Sequence, residues 1–180
     1  MRHLVLTVAL SGYITSCFAL CSSQIESNTP NSRYQILGDG SEVKDLKTGL
    51  IWQRCSLGQH WAGSGCDGAP ARYTWPQALA TAKTGGDRWR LPNVKELYSL
   101  VNIACYNPAI NEPIFPDTAN NGYWSSSPST LTPNSAADPA YAWTVNFGAP
   151  FLGASVSGTT EAITVDIDFM VRLVRDSAGQ

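Results

Sequence analysis

The chain is poor in histidine and in charged residues, and these shortages argue against several classes of protein. Histidine occurs only at His3 and His60, and 14% of the 180 residues are charged, with a net charge of −2. A Ser/His/Asp triad needs a histidine base, and a zinc site needs several His or Cys ligands. Nucleic-acid binding needs a basic face that neutralises phosphates. We therefore expect no partner among the nucleic acids and no confident metal site.

Motifs for catalysis are absent as well. The sequence has no Gly-x-Ser-x-Gly elbow and no phosphate-binding glycine loop. Cys105 follows an apolar helical pattern and lacks the basic surroundings that make a thiol reactive. We therefore predict that the chain is not an enzyme.

The first residues are typical of a secretory signal peptide. A short basic head, Met1 to His3, precedes an apolar run from Leu4 to Tyr13. The run is too short to cross a bilayer, which takes about 20 apolar residues. We predict a signal peptide over residues 1–22 and an exported protein, periplasmic, at the cell surface or secreted.

The signal peptide has two candidate cleavage sites. Residues 14–17 resemble a lipobox, which would make Cys17 a lipidated first mature residue. Ordinary cleavage between Ala19 and Ser22 is the alternative. A membrane contact is expected only through the signal or such a lipid anchor.

The next residues, 23–33, are rich in Ser, Asn, Thr and Pro and predict a flexible linker. The remaining stretch, 34–176, has the length of one ordinary domain.

Three cysteines lie in this domain, which on export would fold where disulfides persist. Cys55 and Cys66 flank a glycine-rich loop, and we predict a disulfide between them. Cys105 is then buried and free, or bonded to Cys21, or bonded to another chain.

Local patterns predict an α+β domain with two helices. Thr74 to Gln77 and Asn93 to Glu96 have the form of capping boxes that begin helices. Strands are predicted over residues 34–37, 42–46, 50–54, 123–127, 141–147, 151–157, 162–166 and 169–175, most of them between turn residues. Strands, then helices, then strands with long loops are typical of an α+β fold with a mainly antiparallel sheet.

Five motifs occur in an order that resembles the Lcl C-terminal-domain family. They are Asp45 to Trp52, Trp89 to Leu97, Asn107 to Asn111, Tyr123 to Ser126 and Val171 to Arg175. The resemblance implies a compact C-type lectin-like fold, related also to sulfatase-modifying-factor domains. It also implies export and, in some members, adhesion at the end of a stalk. It supplies no catalytic residues.

The large residues of these motifs are predicted to be structural, because big aromatic side chains are usually well buried. Trp89 and Leu91 are expected to bury beside the second helix, with Arg90 hydrogen-bonded to a loop. The other residues in this group are Trp52, Pro92, Glu96, Tyr123 and Trp124.

Ligand contacts are expected in two places. Trp61, among glycines, could serve as an exposed platform on which a sugar stacks. Asn111, Glu112 and Asp117 carry the hard oxygen atoms that calcium prefers, although a loop rich in Pro and Asn contains such residues anyway. We thus expect no cofactor, with calcium as the alternative.

The sequence predicts an exported recognition or adhesion module for a glycan or protein ligand at the cell envelope. The alternative is a structural or assembly protein of the bacterial envelope that binds no small ligand.

Overall fold

A computed structural model of the chain describes residues 19–84, 86, 88–129, 141–148 and 159–177. Within them the chain is α+β with two α-helices, as predicted, and every pairing between strands is antiparallel. The elements in chain order are β1 (Leu20–Cys21), a 3-10 turn (Asn31–Arg33), β2 (Tyr34–Leu37), β3 (Glu42–Asp45), β4 (Ile51–Gln53), β5 (His60–Trp61), β6 (Cys66–Asp67), α1 (Trp75–Thr84), α2 (Val94–Tyr98), β7 (Cys105–Tyr106), β8 (Gly122–Pro128), β9 (Tyr141–Asn146), β10 (Thr159–Thr164) and β11 (Val174–Arg175).

One sheet has the order β11-β4-β3-β2, and its first three strands along the chain match their predicted positions to within a residue. Tight turns join them. Gly38 and Gly40 take positive φ in the first turn, a conformation that glycine adopts without steric penalty. The last strand of the chain, β11, pairs with β4 and so returns the C-terminal end to the N-terminal hairpins. The predicted strand over 169–175 is correct only at its end.

The second sheet has the order β10-β9-β8. The alternation in β9 predicts one buried face carrying Tyr141, Trp143 and Val145. The structure corrects this, because Ala142 and Thr144 are buried while Tyr141 and Trp143 are only half-buried. Both faces of β9 are covered, so alternation alone misassigned them. The strand predicted over 151–157 lies outside the described residues.

Both helices begin where their caps are predicted. The Asn93 side chain accepts the Glu96 amide at 2.9 Å, and the Glu96 carboxylate accepts the Asn93 amide at 2.7 Å. At α1, Gln77 accepts the Thr74 amide at 2.9 Å. Each cap satisfies backbone donors that have no partner within the helix. α2 is shorter than its apolar pattern predicts, yet Leu100 beyond it stays buried.

The motif aromatics fill two apolar clusters. Trp52 and Tyr123 lie in the one that α2 joins through Leu97. Trp124 lies in the other.

Trp89 and Leu91 are buried, but in the cluster that α1 joins through Ala78 and Ala82 rather than beside α2. The predicted neighbour is thus wrong, because Trp89 and Leu91 share their cluster with residues of α1, whereas Leu97 of α2 belongs to the other cluster.

Arg90 and Pro92, which precede the cap of the second helix, make polar contacts. Arg90 donates one hydrogen bond of 3.0 Å to Asp176 in the loop after β11, as predicted, and two more to Glu96 at 2.8 and 2.9 Å. Pro92 is buried, and its carbonyl accepts the Ser126 amide at 2.7 Å. These contacts join the second helix to β8 and to the end of the chain.

Residues 23–33, predicted as a flexible linker, are instead anchored to the domain. Asn28 donates to the Val101 carbonyl at 2.9 Å and accepts the Ile103 amide at 3.0 Å. Thr29 has no exposed surface. Polar composition predicted a linker because the partners of these side chains lie about 75 residues away, beyond any local pattern.

Asp45 is the buried partner of Arg33, and this pair makes stability depend on pH. Burial alone would raise the pKa of Asp45, but hydrogen bonds from Arg33, Thr48 and the Lys47 amide outweigh it and hold the pKa below its usual range. A lowered pKa in the folded state stabilises the fold above the unfolded-state pKa, and this contribution is lost as the pH falls through the folded-state value.

We expect Asp45→Asn to be less stable than wild type at pH 7, with the difference shrinking steadily toward pH 2. Thermal unfolding of both proteins across that range measures it, and a pH-independent difference would contradict the role of the Asp45 charge. Asp39→Asn is the control. Asp39 is exposed and its side chain accepts only from Ser41 in its own turn, so its substitution should change stability little at any pH.

Candidate ligand-binding site

A small hairpin held by a disulfide forms one wall of the candidate site. β5 and β6 pair His60 with Asp67 and Trp61 with Cys66. The predicted Cys55–Cys66 disulfide is present and ties the hairpin to the end of β4, with 5.5 Å between the two Cα atoms. The hairpin is too short to be stable alone, so this bond and its side-chain contacts fix its position.

Asp117 fastens the same hairpin from the opposite side. Its carboxylate accepts the Cys66 amide at 2.9 Å. Its carbonyl lies 3.4 Å from the Gln59 amide nitrogen, which donates to it. Asp117 therefore has a structural partner in the hairpin, in addition to any ligand role.

Trp61 is partly buried, and its ring is held in one orientation. The indole nitrogen donates to the Asp39 carbonyl at 3.1 Å. A Cβ atom on Gly40 would come within 3.2 Å of the ring, so the glycine allows the turn to pack closely against the tryptophan. The guanidinium of Arg54 lies 4.2 Å from the ring centre, in a cation–π contact.

Arg54 supports this ring from inside the domain. Its side chain is buried and donates to the carbonyls of Ile114 at 2.7 Å, Gly40 at 2.8 Å and Pro113 at 3.1 Å. Burial lowers the pKa of Arg54, but an arginine stays protonated in proteins. The residue thus joins three segments beneath Trp61 and presents little charge to the solvent.

An open cleft of about 230 Å³ runs beside Trp61. Its walls come from β3, β4 and the loop that the disulfide closes. The lining residues are Ser41, Glu42, Gln53, Cys55, Ser56, Leu57, Gln59 and Trp61.

The polar groups of the cleft are close to neutral in total charge. Glu42 accepts from Arg175 at 2.6 Å, so its carboxylate is already paired. Gln53 makes no side-chain hydrogen bond within the described residues and keeps both a donor and an acceptor for a ligand. A neutral ligand with several hydroxyl groups matches this combination of aromatic surface and uncharged polar groups.

Asn111 and Glu112, predicted with Asp117 as calcium ligands, do not share its position. The Asn111 amide nitrogen donates to the Thr29 carbonyl at 2.6 Å and to Asn31 at 2.8 Å. Glu112 accepts the backbone amide of Ala19 at 2.6 Å. These two residues hold the N-terminal segment, whereas Asp117 holds the disulfide hairpin. Among the described residues, no group of three or more His, Cys, Asp or Glu is arranged to hold a metal ion.

Sequence reasoning identified Trp61 but missed Glu42, Gln53 and Arg54 as its neighbours. Their signal is non-local, because β3 and β4 must pair before their side chains meet the hairpin that follows. The short strands β3 and β4, of four and three residues, give no sign of a cleft. Of the segments around the ring, only the Gly38-Asp39-Gly40 turn has a local signal in the sequence.

The described part of the chain defines the class of this protein as a disulfide-bonded α+β domain with an open, aromatic-edged cleft. A family model for the Lcl C-terminal domain matches residues 41–175, most of the chain. The chain therefore belongs to the Lcl C-terminal-domain family, as its five motifs indicated. Neither a curated protein nor a solved structure matches it. No helix among the residues described here is long and apolar enough to cross a membrane.

Proposed function

We propose that the chain is an exported, non-catalytic recognition module of C-type lectin-like fold that binds a neutral glycan in the cleft beside Trp61. The observation that carries this proposal is the fixed position of the Trp61 ring at a cleft whose polar side chains are uncharged except for Glu42, which is paired with Arg175. Export is supported by the two disulfides, which persist in oxidising compartments.

The fixed ring supports binding because it lowers the entropic penalty of association. A side chain that is already immobilised loses little freedom when a ligand stacks on it. The hydrogen bond from the Trp61 indole and the packing of Gly40 supply that immobilisation before any ligand arrives. Apolar sugar faces stack on indole rings, while their hydroxyl groups need donors and acceptors of the kind that Gln53 offers.

A weakly charged lining favours neutral sugars over sulfated ones. Glu42 is paired with Arg175, and Arg54 lies behind the ring. No unpaired cation faces the cleft among its lining residues. A strongly anionic ligand would find no charge partner there.

We expect Trp61→Ala to weaken glycan binding by roughly tenfold or more, the loss typical of a truncated aromatic anchor. The full-length oxidised protein is first screened on a glycan array, with and without calcium, and affinities for a bound glycan are then measured by calorimetry. Trp143→Ala is the matched control, because Trp143 is also half-buried but lies on β9, outside the cleft lining. Its affinity should stay within about twofold of wild type.

The same screen tests the alternative. Blank arrays in both calcium conditions would contradict glycan recognition and favour a structural or assembly role, which crosslinking to a stable envelope protein would support. Equal losses for Trp61→Ala and Trp143→Ala would show that the cleft is not the binding site.

A further inference from the structure

We propose that export processing leaves Cys21 in the mature protein, so that the cut lies at or before the Leu20–Cys21 bond. The inference rests on the proposed export. It concerns a different part of the molecule from the Trp61 cleft and does not depend on any ligand.

The residues next to the predicted cut are built into the domain. Cys21 is bonded to Cys105, and β1 pairs with β7 through Leu20 opposite Tyr106 and Cys21 opposite Cys105. The Ser22 amide donates to the Ala104 carbonyl at 2.7 Å, directly after the strand pair. A chain cut after Cys21 or Ser22 would lose the bond and the strand.

The cysteine count gives the same result by separate reasoning. The chain has five cysteines, and Cys55 and Cys66 are bonded to each other. A mature chain that keeps Cys21 therefore has two complete bridges in its domain. A cut after Cys21 would leave Cys105 as an odd thiol in an oxidising compartment, where unpaired thiols form wrong disulfides.

The buried position of Cys105 makes a cut after Cys21 or Ser22 still less favourable. Its residue is 7% exposed, so a partner arriving from another chain would have to reach it through the domain surface. Cys21 reaches it from within the same chain, on a strand that already pairs alongside. Cys105 thus has a partner in its own chain, Cys21, and a cut after Cys21 would remove it.

Two upstream cuts satisfy this constraint. Processing before Cys17, which lies outside the described residues, keeps the Ala19 amide that donates to Glu112 at 2.6 Å. Processing after Ala19 places the small residues Ala19 and Cys17 at the first and third positions before the cut and removes that contact. Both keep Cys21. The part of the predicted signal 1–22 that follows Ala19 then belongs to the mature domain.

The test expresses the full-length chain with its own leader in a bacterial host and recovers it from the envelope and the medium. Free thiols are blocked with a maleimide under denaturing, non-reducing conditions, and mass spectrometry then maps the N-terminus and the cysteine peptides. We expect an N-terminus at a lipidated Cys17 or at Leu20. We also expect Cys21 and Cys105 in one disulfide-linked pair, with neither labelled.

Two variants make the result specific. Cys21→Ser should release about one labelled thiol per chain at Cys105, because its partner is gone. Cys55→Ser is the matched control, in which the label should appear at Cys66 and leave Cys105 bonded. Labelling of Cys105 in both variants and in wild type would contradict the proposal.

The outcomes separate this inference from the proposed export. An exported chain that begins at Ser22 or later overturns the retention of Cys21 and leaves export standing. A chain that keeps Met1 and stays in the cytoplasm contradicts export itself, and processing with it.

Discussion

Replacing Arg172 by alanine is expected to lower the free energy of unfolding by about 3–5 kcal/mol, close to the limit for a single substitution. Arg172 has no exposed surface and lies between β10 and β11. It donates to the carbonyls of Gln53 and Arg54, and to the Thr118 hydroxyl at 2.8 Å. Burial lowers the pKa of its guanidinium, which stays protonated.

The size of this effect follows from what the side chain leaves behind. Among the described residues no carboxylate pairs with Arg172, so backbone and hydroxyl dipoles and the rings of Phe115 and Tyr123 stabilise its charge. Truncation orphans several buried acceptors, each worth about 1–3 kcal/mol, and opens a cavity as well.

The measurement is urea unfolding followed by tryptophan fluorescence, analysed by linear extrapolation. Arg72→Ala is the control, because Arg72 is exposed and donates one hydrogen bond to the Asp168 carbonyl; its loss should stay below about 1 kcal/mol. Arg172→Lys keeps the charge but not the forked geometry and should fall between the two. Equal losses for Arg72→Ala and Arg172→Ala would contradict the central role of Arg172.

Arg172 also connects the interior to the candidate site. It bonds the carbonyl of Gln53, whose side chain lines the cleft, and its second nitrogen lies 3.5 Å from Ser56, another lining residue. Arg172 therefore helps to position the cleft residues Gln53 and Ser56. A substitution of Arg172 should also weaken the ligand contacts in the cleft.

Most of the local structure could be predicted from the sequence because short-range chemistry determines it. The Asn93–Glu96 capping box involves residues three apart, and the Gly38 to Gly40 turn is local in the same way. The Cys55–Cys66 bond closes a loop of 11 residues that is visible in the sequence. In each of these features the interacting residues lie close together along the chain.

The unpredicted contacts join residues far apart along the chain. Arg172 bonds Gln53 across 119 positions, and Asn111 bonds Thr29 across 82. Alternation around Arg172 gives no sign of its burial, because Val171, Leu173 and Val174 are buried as well. Asn111 carries oxygen and nitrogen atoms that serve a calcium ion or a backbone equally well, and the sequence does not distinguish the two uses.

The site lies between these cases. The glycines around Trp61 predict a stacking platform, and this role stays a prediction. Its support by Arg54 and its neighbours Glu42 and Gln53 came only with the sheet. An isolated aromatic can be read from a sequence, whereas the polar groups that would give it selectivity depend on the fold.

Removing the Cys21–Cys105 disulfide is the other change with a large expected effect, about 4–5 kcal/mol in the chain-entropy model. This bond closes a loop of 84 residues, whereas Cys55–Cys66 closes one of 11 and should contribute about 3 kcal/mol in the same model. The longer loop has more conformations to lose in the unfolded chain, so its crosslink restricts that state more strongly.

Paired substitutions compare the two bonds without leaving a free thiol. Cys21→Ser with Cys105→Ser removes the long crosslink and frees the segment that Asn28 and Asn111 anchor. Cys55→Ser with Cys66→Ser removes the short one and releases the hairpin that carries Trp61. We expect the first pair to lose more stability in urea and the second to lose more glycan affinity. Stability and recognition are assigned here to different crosslinks. If the Cys55–Cys66 variant were the less stable of the two, the anchoring of the N-terminal segment would be contradicted. If it also bound glycan as wild type does, the site beside Trp61 would be contradicted as well.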